Sequence, residues 1–375
     1  MNRFPPNDII HLVGEAPRYD LAESLGPNLQ LSDVLDAQAL SELASLSLGY
    51  GTAEGDVALR AQIAQAHGVG PDDVVVTAGG MQALFLLAFT LCGPGTEAVA
   101  AAPLFPLARN ALQAVGTQVR PLPLSFDAGY QPDLDELRRL LSPKTRLVSL
   151  ASPQNPSGVA IPLHTLRRVV ALMAEHAPQA FLLVDETYRD AAYGDGPAAT
   201  SALELGERVV STASLSKCHG APGLRIGWVI TRDAALRAQL VTAKFNTTIA
   251  CGNVDEALAL RLLRRSDAPL AERGAHLAHN LAIVQAWVQR EAGFVDWVRP
   301  DAGALCCVRL KPAVFDDAAV GRFHAALPGH GVRVGDGRWF GETARVFRLG
   351  FGLLPPAELG EALAGVSAAL RQALG

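Results

Sequence analysis

The sequence predicts an α/β protein with two parts: a large domain on a mainly parallel sheet flanked by helices, and a smaller α+β domain. Three observations predict it. Short apolar runs alternate with helical patterns from about residue 55 to 265, as in a parallel sheet with helical crossovers. The chain has 375 residues, long for one hydrophobic core. Beyond residue 265 the alternation gives way to one long helical stretch and then shorter elements.

In chain order, the large-domain strands are expected at Val74–Thr77, Ala98–Ala101, Arg146–Leu150, Phe181–Val184, Val209–Thr212 and Gly227–Thr231. Each is a short apolar run too brief for a helix. Helical periodicity marks Asp56–His67, Met81–Cys92, Pro106–Val115, Asp133–Leu141, Leu163–His176 and Ala234–Thr242. The long helix spans Ala268–Gln289 and stops near Gly293. Strands are expected at Gly303–Leu310, Val332–Val334 and Val346–Leu349, with a last helix from about Ala357. Residues 46–265 are therefore expected to form the large domain, and residues 1–45 with 266–375 the small one.

Composition narrows the function. Hydrophobic residues make up 49% and charged ones 18%, enough apolar material for a sizeable core and too much for disorder. The net charge of −5, without a basic stripe, argues against a nucleic-acid partner. The five cysteines are scattered without a C-x-x-C pair, which argues for reduced thiols and against a disulfide framework or a metal site. Met1–Ile10 has no apolar signal core, and no segment is long and uncharged enough to span a bilayer, so a cytoplasmic protein is expected.

The chemistry gathers at strand ends, where open parallel sheets bind ligands. After the first strand, Gly79-Gly80-Met81 opens a helix; glycines permit close approach and the helix start offers N–H groups to an anion. Phe105, after the second strand, can lie flat on an aromatic ring or simply anchor a loop. Asn155 is held extended by Pro156, although Asn155-Pro156-Ser157-Gly158 also reads as a turn. Asp185, three residues before Tyr188, ends a buried strand and needs a cation; a metal ligand or a helix cap would fit it as well.

Ser214, Ser216, Lys217 and Arg225 follow the fifth strand. Burial lowers a lysine pKa and makes its amine nucleophilic, as Schiff-base chemistry requires. The arginine fork matches phosphate oxygens. Together they point to a phosphorylated aldehyde, pyridoxal 5'-phosphate. Each feature is weak alone; their succession at consecutive strand ends carries the reading.

On these segments the chain resembles the class I/II aminotransferases, fold type I enzymes that use pyridoxal 5'-phosphate. The most specific parts are Asn155-Pro156-Ser157-Gly158, Asp185-Glu186-Thr187-Tyr188 and Ser214-Leu215-Ser216-Lys217 with Arg225. The resemblance implies that Lys217 binds the cofactor aldehyde and shuttles the proton at the substrate Cα. It implies that Asp185 pairs with the ring nitrogen, that Tyr188 and Asn155 bond the ring oxygen, and that Phe105 stacks on the ring. Gly80 and Met81 N–H groups, Ser214 and Arg225 would hold the phosphate, with Tyr50 reaching it from a partner subunit of a homodimer. Arg348 would clamp the substrate α-carboxylate beside Asn155, and Gly14, in Gly14-Glu15-Ala16-Pro17, would close over the substrate.

The implied reaction is ping-pong transfer of an amino group between an L-amino acid and a 2-keto acid. The alternative is a fold type I lyase, cyclase or decarboxylase, which would share these residues. Two other classes fit poorly. A Ser-x-x-Lys acyl-transfer enzyme needs Ser-Asp-Asn and Lys-Thr-Gly elements, absent here. A transcription regulator needs a DNA-binding domain ahead of segments that here begin near residue 10. The glycine turn lacks the hydroxyl residue common in relatives, so phosphate binding there leans on backbone. Cys218 and His219 are expected to be packing residues. Tyr19, Phe245 and Asn246 are candidate pocket neighbours. No second arginine is assignable to a dicarboxylate side chain, so a neutral or aromatic amino acid is the expected substrate.

Overall fold

The computed structural model describes residues 3–6, 8–12, 16–194 and 200–375. Its strands are β1 (Tyr19–Leu21), β2 (Val74–Ala78), β3 (Glu97–Ala102), β4 (Gln118–Pro123), β5 (Thr145–Ala151), β6 (Phe181–Asp185), β7 (Val209–Ser214), β8 (Ile226–Thr231), β9 (Val295–Val298), β10 (Leu305–Leu310), β11 (Val332–Asp336) and β12 (Val346–Gly350). Seven form the large sheet in the order β2-β8-β7-β6-β5-β3-β4. All are parallel except β8, which runs antiparallel to β2 and β7. The remaining five form a second, mixed sheet, β1-β11-β12-β10-β9.

The central strands are buried from end to end, which is why they read as continuous apolar runs. Two apolar clusters pack on this sheet. One joins it to helices Gly79–Leu91, Pro106–Ala114 and Leu163–His176. The other lies against helices Val57–His67 and Asn253–Arg264. Val34 and Leu43, from short helices at Leu31–Val34 and Ala37–Ala44, also pack into that second cluster. A third cluster joins the small sheet to helices Asp267–Arg290, Asp317–Ala326 and Pro356–Leu374.

Helix starts follow local chemistry. The Asp56, Asp233 and Asp316 carboxylates accept from the N–H three residues on at 2.7–2.8 Å, satisfying donors that the helix itself leaves free.

Six of the seven large-sheet strands fall where the sequence predicts them, within two residues at each end. β4 was not predicted, because Gln118-Val119-Arg120-Pro121-Leu122-Pro123 carries two prolines and few apolar residues. It is an edge strand, the one place where a sheet tolerates proline. β1 has three residues and β9 four, too short to leave a period. The helices at Asn253–Arg264 and Asp317–Ala326 were also not predicted.

Candidate active site

The carboxyl ends of β5, β6 and β7 and the start of helix Gly79–Leu91 enclose a cleft. It is lined by Gly80, Met81, Phe105, Asn155, Asp185, Tyr188, Ser214, Lys217 and Arg225. Nine predicted residues from six separate chain segments thus converge on one cavity. The register explains part of this: Asp185 sits at the last pairs of β6 with both neighbours, opposite Ala151 and Thr212.

Lys217 lies in the turn after β7. Its Nζ has no hydrogen bond or ion pair among the described residues. Burial pulls its pKa down to about 8, with Glu23 opposing and Arg348 and Arg225 adding to the fall. At neutral pH such an amine is far easier to deprotonate than an ordinary lysine.

Asp185 is held from one side only. Its Oδ1 accepts from the Thr187 N–H at 3.0 Å and the Thr187 Oγ1 at 2.6 Å. Its Oδ2 has no partner among the described residues, and no cation pairs with it there. Burial raises the carboxyl pKa, and the two Thr187 bonds oppose that rise. A buried carboxylate with one free oxygen is suited to a cationic ring N–H. Tyr188 is buried and shares a 2.8 Å hydrogen bond with Ser24 Oγ.

At the other end of the cleft the packing is close. Gly79 has φ +73°, and a Cβ there would lie 2.2 Å from Arg225 Nη2. A Cβ on Gly227 would lie 2.6 Å from Gly79 C and Gly80 N. Glycine is required at both places so that β8, the helix start and the Arg225 guanidinium can share one small volume. The first N–H groups of the helix have no acceptor within it. Arg225 Nη1 donates to Pro222 O at 2.9 Å, and no carboxylate pairs with it among the described residues. A cation beside free N–H groups makes a cradle for a dianion.

Arg348, on β12 of the second sheet, meets Asn155 in the wall of the cleft. It is 2% exposed, and Nη1 donates to Asn155 Oδ1 at 2.8 Å. Nη2 donates to the Ala22 carbonyl. The guanidinium lies over the Phe340 ring, 4.5 Å from its centre. Its Nε is buried and unpartnered, and no carboxylate neutralises it among the described residues. Burial lowers its pKa. A buried guanidinium with an orphaned N–H is suited to an incoming carboxylate.

The family is decided by comparison. The model of the aminotransferase class I and II family matches residues 19–366. The chain belongs to that family. It is 35% identical to capreomycidine synthase of Streptomyces vinaceus, over 87% of this chain and 82% of that protein. It is 29% identical to an arginine–pyruvate transaminase of Pseudomonas aeruginosa, over 82% and 78%. The solved structure of a PLP-dependent cyclase, OrfR, superposes with a TM-score of 0.86 at 26% identity, covering 99% of this chain and 98% of that one. The fold is therefore fold type I, and the cofactor is pyridoxal 5'-phosphate.

Not every expected residue enters the cleft. Tyr50, expected at a partner's phosphate site and not at its own, is 88% exposed. Gly14 lies outside the described residues. Cys218 and His219 are buried behind Lys217. The Cys218 thiol donates to the Thr187 carbonyl at 3.0 Å, and burial pulls the His219 pKa down to about 4. Thr187, Ser24 and Glu23 were not recognised in the sequence. Thr187 sits inside the quoted Asp185–Tyr188 segment, where its spacing of two from Asp185 was a usable signal; Ser24 and Glu23 belong to no motif. Among the described residues, no group of three or more His, Cys, Asp or Glu could hold a metal, and no helix is long and apolar enough to cross a membrane.

Proposed function

We propose that this fold type I enzyme transfers an amino group between an L-amino acid and a 2-keto acid by a ping-pong route. One observation carries the reading. A depressed lysine and a half-satisfied carboxylate line one cleft, and an unneutralised buried guanidinium bonds Asn155 in its wall.

Bound pyridoxal 5'-phosphate supplies an electron sink for negative charge at the substrate Cα. Asp185 Oδ2 would accept from the ring N–H and keep the ring cationic. Arg225, Ser214 and the Gly80 and Met81 N–H groups would bind the phosphate, and Phe105 would pack on the ring. Tyr188 O–H and Asn155 Nδ2 would donate to the ring oxygen. Arg348 orients the substrate α-carboxylate, which restricts the substrate to poses that present its Cα proton to Lys217. Lys217 Nζ, in its unprotonated form, would take that proton and hold it for return. The second half runs in reverse on a keto acid. We propose further that two copies form a homodimer in which Tyr50 serves the partner's phosphate site.

A second reading has a specific basis. Capreomycidine synthase and a cyclase are both similar to this chain, so a lyase, cyclase or decarboxylase outcome after Cα deprotonation fits the same residues. Incubating the loaded protein with single amino acids, without keto acid, separates the two. Transamination predicts loss of the lysine-dependent absorbance band with stoichiometric keto acid. A persisting band with release of ammonia, carbon dioxide or a cyclised product rejects it.

A further inference from the structure

The charged groups of the cleft can be matched one by one to cofactor and substrate. Given the reading above, Arg225 meets the phosphate, Asp185 the ring nitrogen and Arg348 the α-carboxylate, and Lys217 is neutral when it reacts. One further charge stands beside them, the carboxylate of Glu23.

Its backbone is fixed at the site from three directions. The preceding carbonyl, Ala22 O, accepts from Arg348 Nη2. The following side chain, Ser24 Oγ, bonds the Tyr188 hydroxyl at 2.8 Å. The Glu23 carbonyl presses on β12 so closely that a Cβ on Gly350 would lie 1.7 Å from it. Glu23 thus stands between a contact of Arg348 and a contact of Tyr188.

The side chain is half-buried and makes no hydrogen bond or ion pair among the described residues. Neither nearby guanidinium forms an ion pair with it. Arg333 is bound by both Asp20 oxygens, at 3.2 and 2.6 Å. Two of the Arg348 nitrogens are taken by Asn155 and Ala22. The Glu23 charge is nevertheless felt inside the cleft, because it raises the Lys217 pKa against the effect of burial.

We propose that Glu23 receives a cationic substrate side chain, such as a guanidinium, and so selects basic amino acids. A half-buried carboxylate without a protein partner is open to a cationic ligand. A guanidinium offers it two parallel N–H donors. This replaces the expectation of a neutral or aromatic substrate, which had no view of Glu23 because the residue sits in no motif. The similarity to an arginine–pyruvate transaminase points the same way.

Arginine and citrulline test the proposal, since they share length and shape and differ in side-chain charge. The reading is kcat/KM for loss of the cofactor band in the holoprotein. The wild type is expected to prefer arginine by about tenfold or more, as a site does that hydrogen-bonds a group its competitor lacks. In Glu23→Gln the ratio should fall to near one, through KM for arginine, while Glu23→Asp should keep part of it. Equal handling of the two by a wild type with an intact band, or an unchanged ratio in Glu23→Gln, overturns the assignment of Glu23 alone. A wild type without a Lys217-dependent band overturns the underlying site reading instead.

Discussion

Lys217 shows how burial is turned to use. Desolvation disfavours the ammonium form, and the strongest opposing charge, Glu23, offsets only part of that effect. The unprotonated amine is the reactive form, so its abundance sets the rate of cofactor capture by apoprotein. Below a pKa of about 8 the capture rate should rise about tenfold per pH unit, then level off. An ordinary lysine would keep gaining to about pH 10.4. Stopped-flow absorbance of apoprotein mixed with cofactor across pH 6–10 checks this; a profile still climbing at pH 10 would refute the depressed amine. Asp185 shows the complementary device. Thr187 occupies one of its oxygens with two donors, and the other is left for the ring.

Between elements, the important contact joins β8 to the start of helix Gly79–Leu91. Gly79 and Gly227 exclude a Cβ at that crossing, and Arg225 fills the space beside it. Gly79→Ala would place a methyl 2.2 Å from Arg225 Nη2 at a positive φ, where a non-glycine residue costs about 1 kcal/mol before any clash. The arginine must move, so the cofactor dissociation constant should rise about tenfold or more, at about 1.4 kcal/mol per decade. Equilibrium dialysis of the cofactor measures it, and unchanged affinity would remove Arg225 from the phosphate site. This crossing also marks how far the sequence could be read. The central strands and their catalytic ends were legible because buried parallel strands are continuous apolar runs with polar residues where they stop. β4 was hidden by the prolines its edge position tolerates. Ser24 and Glu23 were hidden because their neighbours Tyr188, Arg348 and Gly350 lie 164 or more residues away, and only folding brings them together.

For the whole molecule, we propose a division near residues 46 and 266, with Arg348 of the second sheet crossing to Asn155 in the wall of the cleft. The helices at Leu31–Val34 and Ala37–Ala44 pack beside the large sheet and tie the first segment to it. Tyr50 and Leu48, at 88% and 84% exposure, stand out from the surface where a partner copy would use them. If Tyr50 serves the partner's site, Lys217→Ala and Tyr50→Ala homodimers each carry only defective sites. Mixed and allowed to exchange, they should recover about a quarter of wild-type activity, because half the twofold dimers then hold one intact site. No recovery after demonstrated exchange would place Tyr50 outside the shared site.

The central claim is that Lys217 is the residue that carries the cofactor. The chain has four lysines, Lys144, Lys217, Lys244 and Lys311, so the claim reduces to a choice among four peptides. Borohydride reduction of the loaded protein, followed by peptide mass spectrometry, makes that choice. The account predicts a stable phosphopyridoxyl adduct on Lys217 alone, and none on that peptide when reduction precedes loading. An adduct confined to another lysine, or a loaded protein that reduction leaves unmodified, would contradict it.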